Sequence, residues 1–360
     1  MSHLASIQKV VDVRPIEGAD KIEVATVLGW DVVIKKNEFS VGDPVCYIQI
    51  DTIAPETEEF EFLRKGKFRV KTIKLKGQIS QGLIVPVPKG KFKEGDDVTN
   101  IIGIKKYEKP DNNPQVVKPK MPKKWHQQLI YKLKYNYLYR FFPSLMKKSK
   151  SDFPKHLVPI TDEERIQNVP RVIHEQKGKM FRLSYKLDGS SITIIHDTVK
   201  SFFGKTSSIY RICSRRFELH DTNNDWQKVF DNTNFKVHID ALVSHYKTNE
   251  IIVQGEAIGR FNGNHHKLEN DEIRLFNLFV NGKKIGQDEM EEVFKQYNIP
   301  YCPTHSIIEL NHTIPEILEI SQIPDLLNPN APAEGLVWRT LDGKVSFKAI
   351  NNKYLLTKGE

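Results

Sequence analysis

Short runs of apolar and β-branched residues, separated by turn sequences, make up residues 1 to 108. VATVLGWDVVI, DPVCYIQI, FRVKTIKL and GLIVPV are typical of strands, whereas VGD, KGQ and KEGDD are typical of turns. Several short strands at this spacing predict a small β-barrel and favour an OB-type barrel.

Residues 109 to 158 have a different pattern. KPDNNPQVVKPKMPKK is rich in proline and lysine and predicts an extended linker. In WHQQLIYKLKYNYLYRFF, which follows, an apolar or aromatic residue recurs at every fourth position, and this spacing predicts a helix. The recurring positions are Trp125, Leu129, Leu133, Tyr137 and Phe141.

From residue 159 to residue 360, strand-like runs alternate with helical stretches. MFRLSYKL, SITIIH, IIVQGEAI, IRLFNLFV, EGLVWRT and KVSFKAI predict strands, and ALVSHYK and DEMEEVFKQYN predict helices. The sequence therefore predicts an α+β protein with one domain over 1–108, a basic aromatic linker or helix over 109–158, and a second domain over 159–360.

The composition is that of an ordinary globular protein, with 39% hydrophobic and 28% charged residues. No apolar run is long enough to span a membrane, and MSHLASIQKVVDVRP lacks the apolar core of a signal peptide. Cys46, Cys213 and Cys302 lie far apart and form neither a disulfide framework nor a CxxC metal pair. We therefore expect a soluble, intracellular protein of the cytoplasm or nucleus, with no membrane partner.

The positive charge is concentrated in one segment. Residues 111–158 contain 11 Lys or Arg and 2 Asp or Glu, whereas the rest of the chain contains 43 of each sign. Interleaved cations and aromatic rings are typical of segments that bind single-stranded nucleic acid or RNA ends. A helix that bridges two domains, with its aromatic stripe inward and its lysines solvated, explains the same pattern equally well.

Lys186 lies in SYKLDGSS, at the end of a predicted buried strand. A buried ammonium is costly unless it is paired, so the amine either reaches water at the strand end or takes part in chemistry. Lysine attacks as a neutral amine, which burial and neighbouring cations favour. Attack on phosphorus would also require cations for the phosphate oxygens and a metal for the leaving group.

Residues suited to these tasks follow at the ends of predicted strands. They are Glu256 in QGEAIG, Phe276 in RLFNLFV, Glu334 in AEGLVWR, Lys344 and Lys348 in KVSFKAIN, and Arg215 in RICSRRFEL. Taken singly, each also has an ordinary structural explanation, as a turn, a core aromatic or a solvated charge.

KLDG, SR, GE, LFNLF, EGLV and FKAIN, in that order, resemble the motifs of the covalent nucleotidyltransferases, which include DNA ligases, RNA ligases and mRNA capping enzymes. The chain is more similar still to the RNA ligases of the Naegleria and Deinococcus type, in which an OB domain precedes the nucleotidyltransferase domain. The closer resemblance rests on GADKIEVATVLGW, FSVGDPVCYIQID, ISQGLIVPV, TDEERIQN, CSRRFEL, NNDW and FKAINNKYLL.

This resemblance implies an N-terminal OB-type β-barrel over 1–108 that docks RNA, followed by a ligase-type nucleotidyltransferase domain of antiparallel sheets with helices, similar to ATP-grasp. It implies an ATP-dependent RNA ligase that joins a 3′-hydroxyl to a 5′-phosphate. AMP from ATP would be carried on Lys186, pass to the RNA 5′-phosphate and leave when the 3′-hydroxyl attacks. The expected partner is RNA, as a nicked duplex or as broken ends, in RNA repair or nick sealing, and the chain is expected to act as a monomer.

The resemblance also implies how metal and phosphate are bound. Asp188, Glu256 and Glu334 would hold a hydrated Mg²⁺ or Mn²⁺ through water, and the two glutamates would also contact the nucleotide. Lys348, together with Lys344, would bind the α-phosphate.

Further residues would contact the base and a second phosphate. Phe276 would stack on the adenine, with Phe279 as the alternative ring on the opposite strand face. Arg215 would contact the phosphate of the RNA end or of AMP. Gln167, with Asn168 as the alternative, would contact the edge of the base.

Three further features of the sequence bear on the site. Ser346 stands where related ligases often carry a second lysine, two residues before Lys348. Thr161 followed by Glu164 predicts a capping box at a helix N-terminus. The adjacent His265 and His266 predict a polar loop, because no other ligand group lies at metal-binding spacing.

Rival functions remain open from sequence alone. A DNA ligase or a GTP-dependent capping enzyme has the same motifs, and the choice of nucleotide distinguishes capping from ligation. A non-catalytic RNA-binding protein with a degenerate transferase domain would bind RNA in a salt-sensitive way without becoming adenylylated.

Overall fold

The computed structural model describes residues 3–107, 128, 150–200 and 206–358. The helix predicted between Trp125 and Phe141, with most of the basic aromatic segment, therefore lies outside the described residues apart from position 128. The chain divides into two compact units. The first comprises Met1–Lys109, Glu163–Lys186 and Thr304–Glu360, and the second comprises Pro110–Asp162 and Leu187–Pro303.

The N-terminal part of the first unit consists of short strands. They are β1 (Ala5–Lys9), β2 (Asp12–Pro15), β3 (Ile22–Val27), β4 (Trp30–Lys35), β5 (Pro44–Ile48), β6 (Thr52–Ile53), β7 (Arg69–Val70), β8 (Ile73–Leu75), β9 (Gln78–Ser80), β10 (Leu83–Pro86) and β11 (Lys105–Lys106). Their antiparallel sheets have the orders β1-β5-β10, β2-β3-β4, β11-β6-β7 and β8-β9. A 3-10 helix spans Glu58–Gly66, and helix α1 spans Thr99–Ile102.

Two strand-like runs of this part divide into separate strands. VATVLGWDVVI forms the β3–β4 hairpin, because Leu28 and Gly29 have φ of 52° and 76° and reverse the chain. FRVKTIKL likewise divides into β7 and β8. The inward side chains form two small cores, and in one of them Trp30 stacks on Tyr47 with ring centroids 6.4 Å apart.

Eleven further strands follow in the described residues. They are β12 (Lys150–Asp152), β13 (Met180–Lys186), β14 (Ser190–Lys200), β15 (Thr206–Cys213), β16 (Phe217–Leu219), β17 (Glu250–Ile258), β18 (Glu272–Val280), β19 (Lys283–Lys284), β20 (Thr304–Glu309), β21 (Gly335–Thr340) and β22 (Ser346–Ile350). The helices are α2 (Arg171–Glu175), α3 (Asp225–Asn232), α4 (Lys236–Tyr246), α5 (Gln287–Gln296), α6 (Ile314–Ile320) and α7 (Asn352–Lys358), with 3-10 helices at Ile166–Asn168 and Arg260–Asn262. None of the helices in the described ranges has the length and apolar character needed to cross a membrane.

A four-stranded antiparallel sheet, in the order β20-β13-β21-β22, completes the first unit. Apolar side chains from one face of this sheet are buried against α2 and α6, and Phe181, Trp338 and Phe347 form the aromatic centre of that core. The opposite face is therefore left for polar residues.

The second unit is built on a seven-stranded antiparallel sheet, in the order β12-β16-β15-β14-β17-β18-β19. Helices α3, α4 and α5 pack their apolar residues on one face of this sheet. A smaller core, which includes Ile195, Ile252 and Phe279, forms on the other face. The centres of strands β14 and β17 are buried on both faces, since Ile194 and Val253 lie in the larger core whereas Ile195 and Ile252 lie in the smaller one.

Within the first unit, the N-terminal strands pack directly on the four-stranded sheet. Ile79 of β9 is 4% exposed and shares a core with Ile350, Tyr354 and Leu355 at the end of the chain. A Cβ atom on Gly29 would lie 2.5 Å from a methyl carbon of Ile314, so the β3–β4 turn also touches α6.

Candidate active site

Strand β13 presents Lys186 on the polar face of its sheet. Leu183 is fully buried, and the alternation along a strand therefore directs Ser184 and Lys186 to the opposite face. Ser184 pairs with Val337 of β21, and Val337 pairs with Lys348 of β22. Because paired residues of antiparallel strands share a face, the side chains of Lys186 and Lys348 lie on the same polar face.

Lys186 is ion-paired with Glu334. The Nζ atom lies 2.7 Å from Oε1 of Glu334, and the two side chains are 22% and 18% exposed. The pair follows from the strand register, since Lys186 lies opposite Gly335, the residue after Glu334. The carboxylate oxygen is thus at hydrogen-bonding distance from the lysine nitrogen.

Gly335 allows the backbone next to Glu334 to lie close to β22. Its φ is 151°, and a Cβ atom there would lie 2.1 Å from the carbonyl oxygen of Ala349. A larger residue would push β21 away from β22. In the EG pair of the sequence, Glu334 thus supplies a carboxylate, and Gly335 allows the close backbone approach that positions it.

The segment before the nucleophile pairs with the strand of Lys348. The backbone N–H of Lys348 donates to the carbonyl of Glu164 at 2.8 Å, and Arg165 forms a parallel bridge with Lys348. The predicted helix start at Thr161 is wrong. This segment is extended because its backbone pairs with β22, and the 3-10 helix begins only after Arg165, without a side-chain cap.

Lys344 lies in the turn between β21 and β22. Its side chain is 81% exposed, and its Nζ lies 3.5 Å from Asp342. Hydrogen bonds from the Thr340 hydroxyl and the Lys344 backbone N–H lower the pKa of the Asp342 carboxyl. Since an extended strand rises about 3.3 Å per residue, Lys344 and Lys348 are separated by roughly 13 Å along the chain.

A cation that the sequence analysis did not identify lies beside Ser346. Ser346 pairs with Arg339 of β21, so both lie on the polar face that carries Lys348. Nη2 of Arg339 lies 2.9 Å from Oε1 of Glu163, and both side chains are largely buried. The face that lacks a second lysine therefore has an arginine on the adjacent strand.

In the second unit, the Asp188–Gly189 turn lies against Glu256. A Cβ atom on Gly189 would lie 2.5 Å from Cγ of Glu256 and 2.7 Å from the carbonyl oxygen of Ala257. The register explains this approach, because β14 begins at Ser190 opposite Ala257. Gly189 of KLDG is thus required because a larger side chain there would clash with Glu256, a second candidate carboxylate.

Two side chains hold this turn and the strand that follows it. His266 is 2% exposed, and its Nε2 lies 3.1 Å from the backbone carbonyl of Asp188. The Trp226 indole N–H donates to the carbonyl of Ser191 at 3.0 Å, from a helix that Asn224 caps. The prediction of a loop at His266 was right, but the side chain is buried against the motif rather than solvated.

Phe276 lies at a β-bulge. The register of β18 against β17 shifts between Gln254 and Gly255, so that Phe276 is an extra residue in β18. Bulges re-aim a side chain, so simple alternation does not fix the direction of this ring. Phe276 is partly exposed and belongs to neither core, whereas Phe279 is 6% exposed in the smaller core. Phe276 is therefore the more accessible of the two rings.

The two remaining candidates lie in different settings. Arg215 is exposed in the turn between β15 and β16, where the chain is not extended. Gln167, in the first unit, is 3% exposed and lines a cavity of about 420 Å³ together with Gln8, Gln49 and Asn168. Within the described part of the chain, its Oε1 has no hydrogen-bond partner.

Comparisons with known proteins identify the family to which the chain belongs. An OB-fold domain model matches residues 4–87, and an RNA ligase model matches residues 180–350. The solved structure of Naegleria gruberi RNA ligase with PPi is 32% identical to the chain, with 99% of each chain covered and a TM-score of 0.67. The chain belongs to the RNA ligase family.

Two mutant structures of the Naegleria gruberi RNA ligase are similar to this RNA ligase over the same length. The one with ATP and Mn is 32% identical, covers 99% of this chain and 100% of that chain, and has a TM-score of 0.69. The structure with AMP and Mn is 31% identical to this chain and has a TM-score of 0.68, and the match covers 99% of this chain and 98% of that chain. A comparison with curated proteins gave no match. The predicted α+β fold, an N-terminal OB domain followed by a ligase domain, is confirmed.

The carboxylates of this RNA ligase suit a hard divalent cation. Asp188 and Glu256 in the second unit and Glu334 in the first offer the oxygen donors that Mg²⁺ and Mn²⁺ prefer. In the part of the chain that the structure describes, no three His, Cys, Asp or Glu side chains are grouped so as to hold an ion directly. The donor chemistry of each of these carboxylates therefore fits such an ion.

Proposed function

We propose that this RNA ligase uses ATP to join an RNA 3′-hydroxyl to an RNA 5′-phosphate, with AMP carried on Lys186. The observation that carries the proposal is the ion pair of Lys186 with Glu334 on the sheet face that also carries Lys348. Similar structures of the Naegleria gruberi RNA ligase contain ATP and Mn, AMP and Mn, or PPi. Such a reaction consumes ATP and releases PPi and AMP.

The first step forms a bond between Lys186 Nζ and the α-phosphorus of ATP. The bond from that phosphorus to the bridging oxygen breaks, and pyrophosphate leaves with the electron pair. The amine loses a proton, and Glu334 Oε1, at 2.7 Å, is placed to receive it. Lys348 would stabilise the charge that develops on the α-phosphate oxygens.

Among the two candidate lysines of the last motif, the geometry favours Lys348. It lies in a strand whose register fixes it on the face of Lys186. Lys344 is 81% exposed in a turn and has Asp342 as its partner, so we assign it at most a peripheral contact with phosphate. Arg215, exposed in a turn of the second unit, is proposed to contact the RNA or AMP phosphate.

A divalent metal ion would neutralise phosphate charge and assist departure of pyrophosphate. Asp188, Glu256 and Glu334 are the carboxylates that would hold it, through water. His266 would keep the Asp188 backbone in place.

The base would be held by stacking and by its edge. Phe276, re-aimed by the bulge, is proposed to stack on the adenine, which is worth roughly 1–3 kcal/mol for a base on an aromatic ring. Gln167 stays a proposal for the base edge, and its burial beside the N-terminal strands makes it the weaker of the two.

The second and third steps transfer AMP and seal the strand. An oxygen of the RNA 5′-phosphate attacks the lysine-bound AMP and the P–N bond breaks, which returns the amine. The RNA 3′-hydroxyl then attacks the activated 5′-phosphate, and AMP leaves. Nick sealing or repair of broken RNA is the process that this chemistry would serve.

We further propose that the ligase acts inside the cell, as a monomer. Cys46, Cys213 and Cys302 are all free and buried, which suits a reducing compartment. The proposed division is an OB domain over 1–108, a basic linker over 109–158 and the nucleotidyltransferase domain over 159–360. Light scattering of the purified chain at micromolar concentration would reveal a dimer if the monomer proposal is wrong.

A labelling experiment tests the function. The protein is incubated with α-labelled ATP, or separately GTP, with Mg²⁺ or Mn²⁺, and is then denatured and run on a gel. We expect a label from ATP only, which is lost in Lys186→Met and kept in Lys344→Met, a matched change of an exposed lysine. A label from GTP only would favour a capping enzyme. No label from folded protein free of AMP would favour an RNA-binding protein, and sealing of nicked DNA alone would favour a DNA ligase.

A further inference from the structure

A row of three buried polar residues crosses the seven-stranded sheet. Thr193 of β14 pairs with Gln254 of β17, which in turn pairs with Asn277 of β18. Paired residues of antiparallel strands share a face of the sheet, so the three side chains lie in a line on one face. They are 2%, 1% and 5% exposed. Because buried polar groups are costly unless they are hydrogen-bonded, each polar atom of the row should have a partner.

The row lies between an apolar core and a candidate carboxylate. Ile195 and Ile252, two residues away on β14 and β17, pair with each other and belong to the smaller core. On the opposite side of the row, Glu256 follows the glutamine by two residues, at about 6.6 Å along the same face of β17. Phe276, the ring proposed to stack on the base, directly precedes the asparagine at the bulge. The row therefore adjoins residues that are proposed to bind the nucleotide.

Hydrogen bonds fix which way the two amides of the row are turned. Nε2 of Gln254 donates to the carbonyl of Pro159 at 2.8 Å, and a carbonyl oxygen can only accept. Oε1 of Gln254 is therefore turned toward Asn277, whose Nδ2 donates to it at 2.9 Å. The chain of hydrogen bonds ends at Oδ1 of Asn277, a buried oxygen that has no hydrogen-bond partner among the described residues. A buried acceptor of this kind calls for a donor from a ligand.

We propose that Oδ1 of Asn277 accepts a hydrogen bond from the 6-amino group of adenine and so selects ATP over GTP. Adenine carries an N–H donor at this position, whereas guanine carries a carbonyl oxygen, which would leave two acceptors facing each other. A base stacked on Phe276 would have its edge at the next residue of the same strand. This inference rests on the proposed function, which supplies ATP, and it adds a residue other than Gln167 that reads the base.

Gln254 is the positioning residue of this contact. If the Asn277 amide turned its Nδ2 toward the base, its oxygen would face Oε1 of Gln254, and two acceptors would again meet. Gln254 cannot turn to relieve this, because its own Nε2 is held by the Pro159 carbonyl. The backbone of Pro159 thus fixes the acceptor that is offered to the base.

A nucleotide analogue tests the contact in the wild-type protein. Purine riboside 5′-triphosphate has a hydrogen atom in place of the 6-amino group of ATP. The second-order rate constant of lysine adenylylation is measured for ATP, GTP and the analogue from the intact mass of the denatured protein. We expect the analogue to react roughly 10- to 100-fold more slowly than ATP, because it leaves the buried oxygen unpaired.

Three variants separate a base contact from a structural role. In Asn277→Ala the rate ratio of ATP to the analogue should approach one, whereas a structural role would lower both rates equally and keep the wild-type ratio. Gln254→Met, of similar volume, should raise the rate with GTP relative to ATP, because the Asn277 amide can then turn. Thr193→Val, a change in the same row that leaves both amides in place, is the matched control and should keep both wild-type ratios.

Other outcomes overturn the proposal. Equal wild-type rates with ATP and the analogue would show that the 6-amino group is not read. An unchanged ratio of GTP to ATP in Gln254→Met would contradict the positioning role. Absence of any lysine-bound nucleotide would remove the proposed function instead. The affinities of Lys186→Met for ATP and the analogue, measured by calorimetry, would then still decide the base contact, and equal affinities would refute it.

Discussion

At the scale of single residues, two glycines set how closely the candidate groups approach one another. Gly335 lets the backbone beside Glu334 lie against Ala349, and Gly189 lets the KLDG turn lie against Glu256. In both places a glycine adjoins a charged residue of the site. The glycines of the DG and EG pairs are thus steric requirements for placing carboxylates, as well as turn formers.

Gly189→Ala is expected to reduce the rate of lysine adenylylation at least 10-fold. Its new Cβ would lie 2.5 Å from Cγ of Glu256, so one of the two segments must shift, and small misplacements of reacting groups cost about 100-fold. The rate of label transfer from ATP measures the effect. Gly286→Ala, where a Cβ meets nothing within 4 Å, is the control. A wild-type rate for Gly189→Ala would contradict the assigned closeness.

Lys348→Ala is expected to lower the rate of adenylylation roughly 100- to 1,000-fold. Removal of one hydrogen-bond donor to a developing oxyanion lowers the rates of other enzymes by a similar factor. Lys344→Ala should stay within about threefold, because its side chain is exposed and has Asp342 as its partner. Single-turnover labelling at saturating ATP separates the two. Equal losses in the two variants would show that the turn, as well as the strand, reaches the phosphate.

At the scale of elements, the β8–β9 hairpin links the OB-fold part to the four-stranded sheet of the first unit. Ile79 anchors one face of the hairpin, and Ile73 and Leu75, each 38% exposed, lie on the other face. The β22–α7 connection lies on the other side of this contact. The hairpin therefore braces the end of the strand that carries Lys348.

Ile79→Ala is expected to lower the free energy of unfolding of the first unit by about 2–4 kcal/mol, through lost burial and the cavity left behind. Ile73→Ala, in the same hairpin but 38% exposed, should change it by less than about 0.5 kcal/mol. Urea unfolding, followed by tryptophan fluorescence, measures both. A small loss for Ile79→Ala would indicate that this contact does not brace the hairpin.

At the scale of the whole molecule, buried histidines make stability depend on pH. His196, in the middle of β14, is fully buried, and burial lowers its pKa below the ordinary value. His238 of α4 is shifted in the same direction for the same reason. Asp240 and Asp197 oppose the shift at His196 but do not reverse it.

Stability is therefore expected to fall as the pH drops below about 6.5, the ordinary histidine pKa. Below that pH the unfolded chain binds a proton that folded His196 does not, so the free energy of unfolding decreases with decreasing pH. Above about pH 6.5 the free energy of unfolding keeps the full contribution of neutral His196. His196→Phe should flatten the slope between about pH 6.5 and 5, whereas the exposed His174→Gln should not. Thermal unfolding across this range is the measurement, and an unchanged slope in His196→Phe would refute the assignment.

Most of the architecture was accessible from the sequence, for particular reasons. The short β-branched runs and their turns predicted the OB-type barrel, and the ordered motifs predicted the ligase family, both of which are confirmed. The capping box at Thr161 failed, since a local pattern cannot register the pairing of Glu164 with Lys348, residues far apart in the chain. The roles assigned to the individual site residues stay predictions.

The sequence by itself determined which chemical groups the protein has and in which order, because motif spacing and side-chain type are local properties. It predicted Lys186, Glu256, Glu334 and Lys348 at strand ends, which is wrong for Lys348, in the middle of β22, and for Glu256, inside β17. Only the tertiary structure decided the strand register, which pairs Lys186 with Glu334 and sets Lys348 apart from Lys344. It also decided the long-range contact that brings His266 to Asp188. Such contacts depend on the packing of distant segments, which no short stretch of sequence encodes.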